Sequence, residues 1–444
     1  MPLDNTPRTP VEHVRFDRSE TGPDRPLGTY TDTVDSEVGK TQQNKAKDAS
    51  RRAARHALHR AQRAAAKLVK KFIRQDHRIT KCKWVKCADK VRLVVNTYGE
   101  GDQTARRASY KGLVICGNVW GCPVCGSRIS RIRRAEMNVL LAWARSEGLV
   151  PILLTLTARH GRSDSLERLL HGMKEAKRRL RQRAEWRRLP FEGSVTATEI
   201  THGTRNGWHP HFHELILLRA TSEEEALDMA RTLRSPWLAS LRAYGLDGAS
   251  AAFDVRGAAE AGNYVAKWGV AEEMTLSGDK AGKTQDGHDR GRLPSQLATL
   301  GGEGDATAAK LWVEYFEATS GKRRNQLVWS RGLKLRCGVE EVSDEDAALK
   351  EAEDEDTTEY AGEWDGEGWR PLQSKRVRLM DAAEEGGAAA VKLAEQGPPD
   401  PGGDPLEEFI ELIESWDRPD QTSAPKISLE LALNALEAIP PPDG

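Results

Sequence analysis

Residues 195–218, VTATEITHGTRNGWHPHFHELILL, decide the fold of this chain. Two segments rich in β-branched and apolar side chains, 195–201 and 211–218, stand on either side of the turn-rich segment 202–208. This arrangement predicts two antiparallel strands joined by a tight connection.

The second of these strands carries alternating histidines. Because side chains on a strand alternate between its faces, His211 and His213 share one face while Phe212 points into the core. Two imidazoles on one face are suited to a shared divalent ion, and this interpretation outweighs that of satisfied structural histidines. His209, at the strand entrance, is a further candidate ligand. With the turn centred near residues 205–206, Glu199 lies opposite Phe212 and completes a two-histidine, one-carboxylate site for Mg²⁺ or Mn²⁺.

The segments around this hairpin extend the pattern. Residues 150–157, VPILLTLT, form an apolar run typical of a buried strand, and Ser163 is placed to cap a helix that runs towards Trp186. Ser222 and Glu225 have capping-box spacing for a second helix that ends near Arg242. A fourth strand over 251–255 and a final helix over 258–268 complete the order β-α-β-β-α-β-α. This order contains a split βαβ pattern and predicts an α+β fold, an antiparallel sheet with helices on one face.

The final predicted helix carries a second chemical feature. Glu260, Tyr264 and Lys267 follow the spacing i, i+4, i+7, so they share one helical face. Such a set is more often a solvated face. Its position one strand after the histidines favours a phenolate that attacks a phosphodiester.

The cysteines predict a separate metal site. Six cysteines in a chain of 444 residues do not suggest a disulfide framework, and five of them lie between residues 79 and 126. The expected ligands of a structural Zn²⁺ are Cys82, Cys87, Cys122 and Cys125, with Cys116 next in line. The alternative is that several of these thiols are small core residues.

Charge is divided unevenly along the chain. The whole chain has 67 basic and 67 acidic side chains, but residues 339–444 contain 29 acidic and only 8 basic ones, a net charge of −21. The remainder therefore carries +21 and is the expected polyanion binder. The candidate DNA contacts are Arg128, Arg131, Arg134, Arg178, Arg179 and Arg331.

The composition predicts five regions. They are a disordered leader (1–50), a basic amphipathic helix (51–78), a cysteine-rich zinc and DNA-binding module (79–148), a catalytic domain (149–338, with a flexible insertion at 276–305) and an acidic, mostly disordered tail (339–444). The basic helix fits a surface helix packed on the domain and a DNA-backbone contact equally well. No secretory signal or long apolar stretch is evident, so a cytoplasmic protein without membrane association is expected.

Taken together, these motifs resemble a known family. The order of Leu154-Thr155-Leu156-Thr157, then His209-Pro210-His211-Phe212-His213, then Tyr264-x-x-Lys267 resembles the three motifs of rolling-circle plasmid replication initiators in the His-hydrophobic-His (HUH) endonuclease superfamily. The Cys-x5-Cys-Pro-x-Cys element, Gly207-Trp208 and Trp329-Ser330-Arg331-Gly332-Leu333 resemble its single-tyrosine, Gram-positive and actinobacterial branch. The resemblance covers about residues 80–336.

This resemblance implies a ferredoxin-like or RRM-like palm and a mechanism. Tyr264 would attack the origin, form a 5′-phosphotyrosyl bond and free a 3′-OH primer. Glu260, in the place of a second tyrosine, would activate water to end replication, and Lys267 would steady the phosphate charge. The implied partners are origin DNA, both duplex and single-stranded, and a host helicase and DNA polymerase.

Other functions remain open on the sequence. An HUH transposase shares the chemistry but acts at element ends, whereas a relaxase commonly places its tyrosine near the N-terminus. A zinc-dependent DNA-binding regulator without catalysis would bind DNA and leave no nick. It leaves the histidine strand and the face of Glu260, Tyr264 and Lys267 unexplained.

Overall fold

The computed structural model describes residues 37–98, 105–257, 291–320, 325–349 and 358–400. The helices are α1 (Glu37–Leu68), α2 (Arg78–Lys81), α3 (Pro123–Ser146), α4 (Leu166–Leu180), α5 (Ala184–Arg187), α6 (Glu223–Arg231), α7 (Arg234–Arg242), α8 (Pro294–Gly302), α9 (Ala306–Thr319), α10 (Leu333–Arg336), α11 (Asp344–Leu349), α12 (Gly366–Trp369) and α13 (Arg376–Ala394). The strands are β1 (Val91–Tyr98), β2 (Ala105–Lys111), β3 (Val150–Leu156), β4 (Phe191–Gly203), β5 (Gly207–Leu218), β6 (Phe253–Arg256), β7 (Leu327–Trp329) and β8 (Thr358–Trp364).

A five-stranded sheet forms the centre of the molecule. Its strand order is β6-β3-β5-β4-β7, and every neighbouring pair is antiparallel. Strand β5 lies between β3 and β4, although these two strands are consecutive in the chain and joined through α4. This interleaving is the arrangement of a split βαβ unit.

The two faces of this sheet bury different helices. Phe212, Ile216 and Leu218 of β5 join the largest apolar core with residues of α4, α6 and α7. Leu215 and Leu217 point the other way and pack with residues of α3, such as Leu140. Helices therefore cover both faces, and the expectation of helices on one face is wrong. Helix α3 directly precedes β3, the first strand of this sheet. Its apolar stripe must be buried, and the second face of the sheet covers it.

A buried ion cluster fixes α4 to the sheet. Glu214 has no exposed surface, and its side chain pairs with Lys177 of α4 and with Arg181, directly after that helix. Arg181 also donates to Ser194 Oγ at 2.8 Å. The helix itself begins after Ser165, whose hydroxyl accepts from the amide of Arg168, two residues beyond the predicted cap at Ser163. This cluster holds β5 at a fixed position under α4.

A second sheet joins distant parts of the chain. Its order is β2-β1-β8, and α13 packs on one of its faces through Leu379, Met380 and Ala383. Residues 358–400 are therefore folded, which corrects the prediction of a mostly disordered tail for that part of 339–444. Strand β8 (TEYAGEW) is too polar to stand out in the sequence, and its stability comes from pairing with β1.

Three other predicted boundaries also change. Helix α1 begins at Glu37, inside the predicted leader, because helix formers precede residue 51 and extend its turns. Helix α8 and its buried Leu297 occupy part of the predicted insertion 276–305, which corrects that region for residues 291–305. The predicted cysteine-rich module is completed by β8 and so is not contiguous in sequence.

The basic face of α1 is used inside the fold. Its Arg51, Arg55 and His56 pair with Asp381 and Glu384 of α13. These contacts support the packing interpretation of the helix for its middle turns. Among the described residues, no helix has the length and apolar character needed to cross a membrane.

Candidate active site and cysteine centre

The register of β4 and β5 assembles the histidine site. Glu199 pairs with His211, while Thr198 pairs with Phe212. The predicted partner of Glu199 was Phe212, so that prediction is wrong by one residue. Residues directly opposite each other share a face, and the observed register therefore brings Glu199 to the histidine face.

Two candidate ligands on this face are in direct contact. His213 Nε2 lies 3.0 Å from Glu199 Oε2, and Thr155 Oγ1 lies 3.3 Å from the other ring nitrogen, Nδ1. The Glu199 side chain is 44% exposed and that of His213 is 12% exposed. The site is thus open on one side, and Thr155, from the predicted Leu-Thr-Leu-Thr segment, orients the imidazole from behind.

The histidines form a row, and one of its members was not predicted from the sequence. The ring centroids of His209 and His211 are 4.0 Å apart, and those of His211 and His213 are 5.7 Å apart. His160 extends the row, with its ring 4.5 Å from His209 and its Nδ1 2.8 Å from the carbonyl oxygen of Asn206. Its sequence signal, a histidine three residues after the apolar strand, is too common to single it out.

Protonation in this site suits metal binding. Burial, with the neighbouring imidazole of His209, lowers the pKa of His211 to about 4, and burial next to His160 lowers the pKa of His209. The hydrogen bond from His213 lowers the pKa of Glu199 below its usual range, although burial acts in the opposite direction. Neutral imidazoles beside an ionised carboxylate are the donor set that a divalent cation requires, so these residues fit such an ion.

A glycine shapes the entrance to the histidine strand. Gly207 has a φ of 73°, a left-handed conformation that favours glycine. A Cβ there would lie 3.0 Å from Cα of Arg162 and 3.1 Å from the carbonyl oxygen of Gly161. The close approach holds the loop after β3, which carries His160, against the turn between β4 and β5.

The residues of the predicted nucleophile region, Glu260, Tyr264 and Lys267, lie outside the described residues. The last described residue before them is Gly257, directly after β6, the edge strand beside β3.

Four cysteines meet at a buried centre. Cys82, Cys116, Cys122 and Cys125 are all buried, with their sulfur atoms within 4.8 Å of one another. Cys82 to Cys125 measures 3.5 Å, Cys116 to Cys125 measures 3.6 Å, and Cys122 to Cys82 measures 3.8 Å. A tetrahedral zinc with bonds of about 2.3 Å needs sulfur atoms about 3.8 Å apart. The four thiols therefore fit zinc.

The ligand set differs from the expected one in one residue. Cys87 is exposed, and Cys116 takes its place. The amide of Cys87 is bonded to the carbonyl of Gly112, where a left-handed turn ends β2 and directs the chain towards Cys116. The prediction of Cys87 as a ligand is wrong because this turn, set by pairing of β1 and β2, decides which thiol faces inward.

The start of α3 favours charged thiolates. Cys125 lies in the first turn, where the helix dipole stabilises negative charge, whereas hydrogen bonding to the other thiols and burial raise the pKa of Cys122 at the N-cap position. Hydrogen bonds from Cys116, Cys122 and Cys82 hold the pKa of Cys125 well below its usual range. At least one thiolate is therefore ready for a metal.

The candidate DNA contacts fall into two groups. Arg131, Arg178, Arg179 and Arg331 are exposed, although Arg178 pairs with Glu175 at 2.8 Å. Arg128 and Arg134 are half-buried, and Arg128 donates to the carbonyl oxygen of Ala348 at 3.4 Å.

The segment around Arg331 has a role in the fold. Ser330 Oγ accepts from the amide of Ser194 at 3.0 Å, and Leu333 is fully buried against Gly193. These contacts attach β7 to β4. Packing alone therefore explains the presence of Ser330 and Leu333 in the Trp-Ser-Arg-Gly-Leu segment.

Comparisons with known proteins found one family model and two relatives. A family model described as replication protein matches residues 112–223, a range that includes Cys116 and the histidine strand. A relative from Streptomyces lividans named Protein rep is 28% identical over 298 residues, which cover 52% of this chain and 65% of that protein. A Neomycin resistance protein from Streptomyces cyanogenus is 29% identical over 146 residues, which cover 26% of this chain and 33% of that protein. The chain thus spans less than two thirds of either relative, and no solved structure matches it.

Proposed function

We propose that this protein starts rolling-circle replication of a plasmid by nicking one strand at its origin. The match of residues 112–223 to the replication protein model and the similarity to Protein rep support this proposal. The observation that carries the proposal is that His211, His213 and Glu199 share one face of the central sheet, where His213 Nε2 lies 3.0 Å from Glu199 Oε2 and the Glu199 side chain is 44% exposed. A site that only stabilised the fold would be closed to a phosphate, and this one is not.

The histidine face would receive the scissile phosphate. A divalent cation held by His211, His213 and Glu199 supplies charge neutralisation to the phosphate oxygens when it is bound. Thr155 fixes the ring of His213 through its Nδ1, and the neutral state of His211 keeps its lone pair available at neutral pH. The HUH assignment and the ferredoxin-like or RRM-like palm belong to this proposal, and the split βαβ strand order supports them.

Tyr264 is the proposed nucleophile. Its phenolic oxygen would bond to phosphorus as the bond from phosphorus to the 3′ oxygen breaks, and that oxygen would take up a proton to give the 3′-OH primer. Tyr264 follows Arg256 by eight residues, a length that spans up to about 28 Å when extended. Since β6 and β5 are separated only by β3, about 10 Å of sheet, the histidine face is within reach.

Glu260 and Lys267 are the proposed helpers. Glu260 would accept a proton from water that attacks the phosphotyrosyl bond regenerated after one round, which releases Tyr264. Lys267 would balance charge on the phosphate. The cycle would need a helicase and a polymerase from the host to extend the 3′ end.

The cysteine centre would hold a structural zinc. Cys82, Cys116, Cys122 and Cys125 fit a closed tetrahedral site, the type that contributes to folding and keeps no open position. It lies at the start of α3, the helix that carries Arg131 and Arg134, so the zinc would hold a DNA-binding element in place.

A cleavage assay tests the nuclease proposal. Purified protein is mixed with single-stranded fragments of its plasmid, with Mn²⁺ or with EDTA, and the products are separated on denaturing gels. The expected result is a metal-dependent nick with protein attached to the 5′ end, which Tyr264→Phe abolishes. The matched control is Tyr244→Phe. Tyr244 lies two residues after α7, is half-buried and packs against the core.

Three other outcomes would contradict parts of the proposal. A nick that survives Tyr264→Phe moves the nucleophile elsewhere. Binding without any nick favours the DNA-binding regulator. Cleavage confined to the ends of a mobile element favours a transposase.

A further inference from the structure

Lys83 is buried without a partner beside the cysteine centre. Only 3% of its surface is exposed, and its ammonium nitrogen has no hydrogen-bond partner among the described residues. A buried ammonium without a counter-charge costs several kcal/mol in a folded protein. Burial of this charged side chain is therefore unfavourable unless another group balances its charge.

The backbone of Lys83 adds a second cost. Its φ is 55°, and it is the one non-glycine with a positive φ among the described residues. A left-handed conformation costs a residue with a Cβ about 1–2 kcal/mol, and glycine or asparagine would relieve much of that cost. The amide of Lys83 donates to the carbonyl oxygen of Val114 at 2.7 Å and holds this turn closed.

The groups around Lys83 include no carboxylate that could balance its charge in the described part of the chain. Cys82, Cys122 and Cys125 are the groups whose negative charge acts on the Lys83 ammonium, while Arg128 acts on it as a like charge. The nearby imidazole of His59 is kept neutral, since burial and the positive charge of Arg376 lower its pKa well below the ordinary value.

Charge counting then identifies the partner. A zinc ion carries +2 and four thiolates carry −4, so the filled cysteine centre has a net charge of −2 in a buried position. We propose that Lys83 is the internal counter-cation of a zinc tetrathiolate, its buried ammonium balancing part of the −2 charge of the filled centre. The inference rests on the proposed zinc and is independent of the nicking reaction.

The proposal explains why a charged side chain is buried at this position. With the metal bound, the unpaired ammonium gains an anionic centre nearby, which offsets the cost of burying its charge. Outer groups of this kind tune the charge and the affinity of a metal centre. Lys83 is thus a positioning and charge-balancing residue, not a zinc ligand.

Zinc affinity of the full-length protein provides the test. Wild type, Lys83→Met and Lys83→Gly are titrated against a zinc-binding chromophore, and the metal content is measured after purification. The expected result is one zinc per chain in wild type and about 10- to 100-fold weaker binding in both variants. The matched control is Lys81→Met, because Lys81 precedes Cys82 as Lys83 follows it but is exposed.

A second measurement, the rate of thiol alkylation, separates the effect of the Lys83 charge from the effect of its packing. In a Cys87→Ser background, which removes the exposed thiol, zinc-loaded protein is treated with iodoacetamide. Loss of the ammonium leaves the bound thiolates more electron-rich, so Lys83→Met should be alkylated faster than wild type. Lys83→Gly relieves the strained backbone and so remains informative even where Lys83→Met fails to fold.

Two results would overturn the inference. One is zinc affinity and alkylation in Lys83→Gly and Lys83→Met equal to those of wild type. The other is wild-type protein without zinc, which removes the centre itself whether or not the protein nicks DNA. Loss of nicking with normal zinc binding would contradict the nuclease proposal and leave this one standing.

Discussion

The cysteine centre and the histidine row are built in opposite ways. Cys82, Cys116 and the pair Cys122 and Cys125 come from three separate segments, and all four thiols are buried. The histidine row and Glu199 come from adjacent strands and the loop after β3, and Glu199 is 44% exposed. A centre that joins distant segments and excludes solvent stabilises the fold, whereas one that lies on a preformed sheet and faces solvent leaves room for a substrate.

The largest expected effect comes from Cys116→Ser. Removing one of four thiolates should cost about 3 kcal/mol or more in the free energy of unfolding, roughly 6–12 °C in melting temperature for a domain of 150–250 residues. Thermal melting and zinc content check this.

The matched control is Cys87→Ser. Cys87 is exposed and outside the centre, so its melting temperature and zinc content should equal those of wild type. A lower melting temperature for Cys116→Ser without any loss of zinc would mean that the cysteines act only as core residues, and the comparison would then fail.

A smaller effect is expected at the histidine row. His213→Asn removes a donor whose Nε2 is 3.0 Å from Glu199 Oε2 and should weaken Mn²⁺ binding about 10- to 100-fold. Because the fold does not depend on that ion, the melting temperature in EDTA should change little. Calorimetric titration with Mn²⁺ measures the first quantity and melting in EDTA the second.

His171→Asn provides the control for that experiment. His171 is an exposed histidine of α4, on the far side of the sheet. Unchanged Mn²⁺ affinity in His213→Asn would remove the histidine face as a metal site.

The smallest effect concerns acid stability without metal. The folded state lowers the pKa of His211 from its ordinary 6.5 to about 4, chiefly through burial, so folding favours the neutral ring. The resulting stability is fully present above pH 6.5 and is lost as the pH falls towards 4. Its size is on the order of 2 kcal/mol after solvent screening is allowed for.

Denaturant unfolding in EDTA at a series of pH values tests this sign. The wild-type free energy of unfolding should fall more steeply between pH 6.5 and 4 than that of His211→Asn. Parallel curves would show that His211 is not held neutral by the fold.

Local patterns predicted much of the central sheet. The alternation of His211, Phe212 and His213 placed the histidines on one face because strand period depends only on neighbouring residues. Ser222 and Glu225 marked the start of α6 for the same reason: Ser222 Oγ accepts from the amide of Glu225. The split order of the strands then follows from short connections.

Contacts between distant residues account for what was missed. The partner of Glu199 depended on the strand register, and a shift of one residue in that register moves every side chain to the other face of the sheet. The choice of Cys116 over Cys87 depended on the left-handed turn at Gly112, and the position of β8 depended on pairing with β1. His160 joined the row only through the loop held by Gly207, which no sequence period reveals.

The pairing of β8 with β1 also affects how the protein is made. Arg92 and Glu363 bond across these strands although 271 residues separate them. At 5–20 residues per second, a ribosome needs roughly 15–50 seconds to synthesise that stretch. During this time the edge of β1 that β8 will occupy is open to other partners, so a nascent chain that stalls before Trp364 would expose an unpaired strand next to the cysteine centre.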